Sequence, residues 1–192
     1  MKLLAPRISL PVARRRLRRR RGIKIRAWLA RTGAQRRGRK RHQRIELVRL
    51  PAYCVAFRVF DGTRHGEIEL LVDAHVASVR RFTATESDWC ESDSGKLFAP
   101  ALAAAAARRA AHEQLLAILL REPGWLRQQP QISEASIELV QYPYWVYYWR
   151  RPSGMLDVRL LDAWTGELAG TKVRLAFLDA LSRAAQPTPL DR

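Results

Sequence analysis

The sequence has few of the residues that build cross-links and metal sites. It contains two cysteines in 192 residues, Cys54 and Cys90, and neither belongs to a CxxC pair. No histidine lies at metal-ligand spacing from either cysteine. The pattern therefore excludes a small disulfide-rich fold, and Cys54, inside an apolar run, is expected to be a small buried side chain. A disulfide between the two cysteines remains as an alternative.

Long hydrophobic runs are also missing. Pro6 and Arg7 interrupt the apolar start of the chain before it reaches the roughly 7–15 apolar residues of a secretory signal. No window approaches the roughly 18 apolar residues of a membrane-spanning helix. We therefore expect no transmembrane segment and a cytoplasmic location. Organellar targeting, for which leaders are also Arg-rich and free of acidic residues, and an envelope location remain as alternatives.

Negative charge is absent from the first quarter of the chain. Residues 1–44 hold 18 of the 35 Lys and Arg residues and none of the 18 acidic ones, since the first carboxylate belongs to Glu46. The net charge of +17 therefore belongs to this segment, and the remainder is close to neutral. Because blocks of like charge repel one another, residues 1–44 are predicted to be a basic N-terminal arm that is largely disordered alone.

Such an arm is typical of polyanion binding. A dense cationic segment releases counterions when it meets phosphates, and an aromatic side chain among the cations can stack on a base. We therefore predict contacts to the phosphate backbone of RNA or DNA, with little sequence specificity because no base-reading module is recognisable. An anionic membrane surface, a targeting leader and an unselected extension are the alternatives. The predicted nucleic-acid-binding residues are Arg14, Arg15, Arg16, Arg18, Arg19, Arg20, Arg21, Lys24, Arg26, Trp28, Arg36, Arg37, Arg39, Lys40 and Arg41.

Catalytic signatures are lacking as well. The sequence has no HExxH, GxSxG, P-loop or GxGxxG motif. Asp73 and Asp162 occupy matching places at strand ends, where hydrogen bonding to turn amides is the expected role rather than acid–base chemistry. We therefore expect a protein that is not an enzyme, with no catalytic residues, no metal and no cofactor.

Beyond the arm, the chain repeats itself. Residues 45–58 align without a gap with residues 137–150, at an offset of 92, and share Ile, Glu, Leu, Val, Pro and Arg. The alternation of side chains predicts a strand in each copy, and each copy continues through a turn into a second strand, at 67–73 and 156–162. The repeat therefore predicts a pseudo-symmetric pair of β-hairpins.

Helical patterns follow each hairpin. The first helix is predicted between Pro100 and the Pro123-Gly124 pair, and the second after a capping Thr171. We therefore predict an α+β fold of two pseudo-repeated antiparallel β-hairpin units, each followed by a helix that packs on the sheet, behind the disordered arm. The predicted body spans residues 45–192, and its two units span 45–122 and 133–185.

The first strand of the second copy is apolar on both faces. A strand that is solvated on one face alternates with polar residues, so something must cover the second face of this one. A helix of the chain itself or a dimer mate is one interpretation, and a surface for a protein partner is the other. The predicted partner-binding residues are Tyr142, Tyr144 and Tyr148.

A short motif in the second copy resembles a known family. An aromatic strand at Tyr144-Trp145-Val146, a strand ending in Leu161-Asp162-Ala163 and the segment Thr165-Gly166-Glu167-Leu168 are similar to the PepSY family of small α+β domains. The resemblance covers about residues 101–170, with a degenerate copy at 45–74 that is followed by His75-Val76-Ala77-Ser78 instead of the Thr-Gly turn. It implies a binding or inhibitory module, usually found outside the cytoplasm, and it gives no catalytic residues to carry over.

Together these features predict a non-enzymatic, nucleic-acid-associated binding or assembly protein. The arm would contact phosphates of RNA in a ribonucleoprotein, or of DNA, and the body would make protein contacts. The alternative is an envelope-associated PepSY-like module that binds a ligand or a protease.

Overall fold

The computed structural model describes residues 2–18, 44–60, 62, 64–90, 96–121, 130–150 and 156–185. Within these residues the fold is α+β, as predicted, with eight strands in one sheet and three α-helices. The strands are β1 (Lys2–Leu4), β2 (Arg44–Phe60), β3 (His65–Asp73), β4 (Val79–Phe82), β5 (Trp89–Cys90), β6 (Lys96–Leu97), β7 (Gln131–Arg150) and β8 (Leu156–Asp162). The helices are α1 (Leu10–Arg18), α2 (Ala104–Leu119) and α3 (Thr171–Ala185), and a 3₁₀ turn spans Glu86–Asp88.

Two long strands form the centre of the sheet. β2 and β7 pair antiparallel from end to end, with Leu50 opposite Tyr142 near the middle. Both strands are rich in the β-branched and aromatic residues that pack well on a pleated surface. The sheet order is β4-β3-β2-β7-β1-β5, while β6 also pairs with β2 and β8 with β7.

The sheet as a whole is mixed, although each of its two hairpins is antiparallel. The hairpins β2–β3 and β7–β8 are antiparallel, but β1 pairs parallel to β7 and β6 pairs parallel to β2. These two short strands enter from outside the hairpins, so no tight turn constrains their direction. Pro51 lies between the residues of β2 that pair with β6 and those that pair with β3. Pro143 lies in the same way between the residues of β7 that pair with β1 and those that pair with β8. Proline is tolerated at both junctions because no backbone N–H is needed there for a hydrogen bond of the sheet.

Each hairpin ends in an aspartate-stabilised turn. Asp73 Oδ1 accepts hydrogen bonds from the amides of His75 and Val76, at 2.8 and 3.0 Å. Asp162 Oδ1 accepts the corresponding bonds from the amides of Trp164 and Thr165, at 2.8 and 2.9 Å. The role expected for the two aspartates, binding turn amides, is therefore confirmed.

The helices cover both faces of the sheet. α2 buries Ala107, Ala111, Leu115 and Leu119 against the first hairpin. On the same face, α1 buries Ala13 and Leu17 against the second hairpin. α3 lies on the opposite face, where Phe177 and Ala180 join the cluster formed by the even-numbered residues of the central strands. The helix that shares a face with α2 is therefore α1, which comes from the start of the chain.

The prediction of disorder fails for the described part of the N-terminal arm. Residues 2–18 form β1 and α1, and Leu3, Leu4, Ala13 and Leu17 are buried. Burying apolar side chains stabilises this segment against the charge repulsion that suggested disorder, at about 1.5–3 kcal/mol for each fully buried leucine. The rest of the predicted arm, residues 19–43, lies outside the described residues.

Candidate nucleic-acid interface

Helix α1 packs one side on the second hairpin and exposes the other to solvent. Pro11 lies in the first turn, where a missing N–H costs no intrahelical hydrogen bond. Ala13 and Leu17, four residues apart, point to Tyr147 and Leu161. Arg159 donates to the carbonyl of Leu17 at 3.3 Å, which satisfies an acceptor in the last turn.

The opposite side of α1 presents arginines. Arg14, Arg15 and Arg18 are exposed, and no described carboxylate pairs with any of them. The docked helix backbone therefore presents three positively charged side chains on its exposed side. A basic helix face of this kind attracts phosphates through charge and counterion release.

Two other cations near the N-terminus, Lys2 and Arg7, have structural partners. Lys2 Nζ lies 2.7 Å from Glu138 Oε2, and the hydrogen bond to Glu138 raises the pKa of Lys2. Arg7 Nη2 lies 2.9 Å from Asp88 Oδ2, and the guanidinium of Arg7 stacks 3.5 Å from the ring centre of Trp164. The hydrogen bond from Arg7 lowers the pKa of Asp88 to about 2. These contacts fix the N-terminal segment to the body.

Arg16 differs from its neighbours on α1. Its Nη1 donates to the carbonyl of Gly166 at 2.5 Å, in the turn after β8. Gly166 has φ +77°, and a Cβ at this position would overlap the guanidinium end of Arg16. Arg16 therefore serves to dock α1, although the sequence grouped it with the phosphate-binding residues. The remaining predicted nucleic-acid-binding residues, from Arg19 to Arg41, lie outside the described residues.

The three tyrosines predicted to bind a partner are covered from within the chain. Tyr142 and Tyr144 are buried, and Tyr148 is half-buried, with its hydroxyl donating to Glu46 Oε1 at 2.6 Å. The ring of Tyr148 packs on Phe177 of α3. A helix of the same chain therefore covers this face, as the first of the two interpretations of the apolar strand expects.

The other face of the aromatic strand lies under the N-terminal segment. Trp145 Nε1 donates to the carbonyl of Ile8 at 2.6 Å, and Trp145 and Trp149 pack against the cluster around Leu17. Both apolar faces of β7 are thus covered by helices. The sequence predicted that a cover was needed, but it did not identify α1 as one of the two covers.

A cavity of about 290 Å³ lies beside the middle of the central strands. Arg80 of β4 lines it, with Nη1 2.7 Å from Asp162 Oδ2 and the guanidinium carbon 4.2 Å from the ring centre of Tyr142. The hydroxyl of Tyr142 donates to Asp162 Oδ1 at 2.7 Å. Burial raises the pKa of both Tyr142 and Tyr144, so these hydroxyls remain protonated. We call this space the Arg80 cavity.

Comparison of the chain with protein-family models, curated proteins and solved structures returns no match. The site must therefore be interpreted from its own geometry. In the described part of the chain, no group of three or more His, Cys, Asp or Glu side chains could hold a metal ion. No described helix is long and apolar enough to cross a bilayer.

Sequence reasoning missed Arg80. It lies in a short strand without a motif, and its partner Asp162 is 82 residues away. A signal was present in the matching positions of Asp73 and Asp162, which place two carboxylates at equivalent hairpin ends. The pairing of Arg80 with Asp162 becomes visible only when the strands are placed side by side.

Proposed function

We propose that this protein is a non-enzymatic, nucleic-acid-associated binding protein, and that α1 contacts the phosphate backbone of RNA or DNA. The observation that supports the proposal is the arginine face of α1, which consists of Arg14, Arg15 and Arg18. These side chains are exposed and have no described carboxylate partner, while Ala13 and Leu17 hold the helix on the body. The α1 helix is directly followed by Arg19-Arg20-Arg21, which continues the basic run without an acidic residue.

A docked helix favours this function for an energetic reason. Ordering a flexible arginine-rich segment on binding costs conformational entropy for every residue that becomes fixed. Because α1 is already folded on the sheet, its three guanidinium groups bind without that backbone cost. Guanidinium groups also match phosphate oxygens in two-point hydrogen bonding. The proposed contact is therefore a preformed patch with little base specificity.

We further infer that the body consists of two related halves around a pseudo-two-fold axis. The offset of 92 equates Leu50 with Tyr142, and these two residues lie opposite each other in the central pair. The parallel pairings of the two short strands fall on equivalent residues as well, at Val48 and Val140. This arrangement supports a tandem PepSY-like architecture.

The relation extends to the helices. Leu102 precedes α2 and its amide donates to the carbonyl of Ala74, while Ile8 precedes α1 and its amide donates to the carbonyl of Ala163. On this proposal α1 is the counterpart of α2, and each half consists of one hairpin with a strand–helix segment docked on it. The second half then combines residues 131–162 with residues 2–18.

The second candidate function is that of an envelope-associated, PepSY-like module that binds a ligand or a protease. The observation that favours it is the Arg80 cavity, where the two halves meet beside their aspartate turns. Recovery of the full chain in an envelope fraction, together with RNA affinity that does not depend on α1, would favour this candidate over the first.

Substitution within α1 tests the first function without removing a folded segment. The variant carries Arg14→Gln, Arg15→Gln and Arg18→Gln, which keeps helix propensity similar and removes three charges. The measurement is fluorescence anisotropy with a labelled single-stranded RNA and with a DNA duplex of the same length. We expect the variant to bind each probe several-fold more weakly than the parent chain in 50 mM salt, because three phosphate contacts are lost.

A matched control separates a local contact from total charge. Arg58 of β2, Arg109 of α2 and Arg121 in the turn after α2 are exposed arginines away from α1, and their replacement by glutamine lowers the net charge by the same amount. The control should bind like the parent. Equal losses in both triple variants would mean that only net charge matters, and unchanged binding of the α1 variant would refute the assignment of the contact to α1.

A further inference from the structure

One half of the Arg80 cavity holds a guanidinium from the chain itself. Arg80 pairs with Asp162 and stacks on Tyr142, and Asp162, Tyr142 and Tyr144 are themselves buried. Stacking on an aromatic face and pairing with a carboxylate are the two interactions that bind a guanidinium most strongly. This half therefore shows how the cavity recognises a planar cation.

The other half of the cavity has an equivalent carboxylate, that of Asp73, but no equivalent arginine. Under the proposed two-fold relation Asp73 is the counterpart of Asp162, and both line the cavity. The counterpart of Arg80 is Ala169, because Leu161 pairs with Leu168 as Val72 pairs with Val79. In the described residues, no side chain donates a hydrogen bond or an ion pair to Asp73 Oδ2.

Smaller side chains leave room beside Asp73. The counterparts of the large Tyr142 and Tyr144 are Leu50 and Ala52, and both line the cavity. The cavity volume of about 290 Å³ corresponds to roughly ten water molecules at about 30 Å³ each. A short alkyl chain with a planar head group fits this space.

The charge of the lining selects the sign of the ligand. Three carboxylates line the cavity, those of Asp73, Asp162 and Glu167, together with the single cation Arg80. An anionic ligand would meet an arginine that is already paired and two further carboxylates. A cationic ligand would meet the open side of Asp73, with apolar contacts from Leu71 and Val173 for its alkyl part.

We propose that the Arg80 cavity binds an alkylguanidinium group, in the position equivalent to Arg80, through Asp73. The side chain of arginine, free or within a peptide, is the natural form of this chemistry. The inference uses the two-fold relation but not the nucleic-acid contact, since the Arg80 cavity and the arginine face of α1 share no residue.

The test is a calorimetric and NMR titration of the full chain with n-propylguanidinium and with n-propylurea. The urea has the same planar shape without the charge. We expect saturable binding of the guanidinium, and binding of the urea at least about tenfold weaker, since the uncharged urea cannot form a charge-assisted hydrogen bond with the Asp73 carboxylate. Free arginine and a capped arginine dipeptide form a second arm, which distinguishes an amino-acid site from a peptide site.

Two variants test whether the guanidinium binds beside Asp73. Asp73→Asn keeps the Oδ1 that accepts the two turn amides but removes the charge, so the turn is retained and guanidinium affinity should fall about tenfold. Ala169→Arg introduces the counterpart of Arg80 and should abolish binding. Glu113→Gln, an exposed carboxylate on α2, is the matched control and should bind like the parent.

The titrations can contradict the proposal in three ways. Absence of saturable guanidinium binding, equal affinity for the urea, or unchanged affinity in Asp73→Asn would each overturn the proposal. If Ala169→Arg does not fold, as judged by circular dichroism, the Asp73→Asn result decides. RNA affinity should be unchanged in Asp73→Asn, so failure of the cavity proposal and failure of the α1 proposal can be told apart.

Discussion

Replacement of Leu17 by alanine tests whether the N-terminal segment is part of the folded body. Leu17 is fully buried and packs with Ala13, Tyr147 and Leu161 under the second hairpin. Removing its branched end leaves a cavity between α1 and β7. Buried Leu→Ala changes cost about 2–5 kcal/mol of unfolding free energy, from lost transfer energy and cavity formation. For a chain of this size, a cost of about 3 kcal/mol lowers Tm by roughly 6–12 °C.

Urea denaturation followed by circular dichroism and tryptophan fluorescence measures this change. The matched control is Arg15→Ala on the exposed side of the same helix, which should alter the free energy by no more than about 0.5 kcal/mol. The denaturant slope m should stay constant, so that the midpoint shift reports stability alone. A change below about 0.5 kcal/mol for Leu17→Ala would show that α1 does not contribute to the fold, and the reasoning from its buried face would fail.

Three further predictions concern single sites. Gly166→Ala should cost about 1–3 kcal/mol in urea denaturation, because φ is +77° and because the added Cβ would displace the guanidinium end of Arg16 from the Gly166 carbonyl. Arg7→Ala should raise the pKa of Asp88 from about 2 toward 3.8 in an NMR titration. Because the folded-state pKa is depressed, the stabilisation from this pair is present above about pH 4 and is lost as the pH falls toward 2. Cys54, whose pKa is raised to about 12 by burial, should hold roughly a thousandfold less thiolate than a thiol at its ordinary value of 9.0, and should resist iodoacetamide at pH 8 in the native protein.

Each of these has its own control. Gly170→Ala places a Cβ in open space and should be nearly neutral, so equal costs at both glycines would contradict the strain argument. An unchanged Asp88 titration in Arg7→Ala would show that the ion pair does not set the pKa. For Cys54, mass spectrometry of the labelled peptide should show rapid modification in urea. Equally rapid modification in the native protein would contradict its burial.

The hairpins were predictable because their signals are local. Period-two alternation and the turn aspartates are visible over short stretches, and Asp73 and Asp162 take the predicted role. The central pairing of β2 with β7 joins residues about 90 positions apart. The repeat hinted at this pairing, but sequence alone could not set its register.

The N-terminal segment was missed because its charge dominated the interpretation. Leu10, Ala13 and Leu17 have helical spacing, but they lie among arginines, and three apolar positions are a weak signal. The burial of Ala13 and Leu17 depends on Tyr147 and Leu161, which are far away in the sequence, while Leu10 stays exposed. Whether an apolar stripe is buried can be judged only when the surface that it packs on is known. For α1 that surface lies on β7 and β8, more than 100 residues further along the chain.

The aromatic strand illustrates the same limit. Its two apolar faces correctly predicted two covering layers. The sequence could not decide whether the covers come from the chain or from a partner, because residues from α1 and from α3 were not yet placed beside it. The buried Tyr142 shows the outcome, since it faces Arg80 and Asp162 rather than a separate protein.

The salt dependence of RNA affinity tests the proposed phosphate contact of α1 most directly. Each phosphate neutralised on a single strand contributes about −0.7 to the slope of log K against log salt. The Arg14, Arg15 and Arg18→Gln variant should therefore show a slope shallower by up to about 2, while the Arg58, Arg109 and Arg121→Gln control keeps the parent slope. Identical slopes for the parent and the α1 variant would contradict the account.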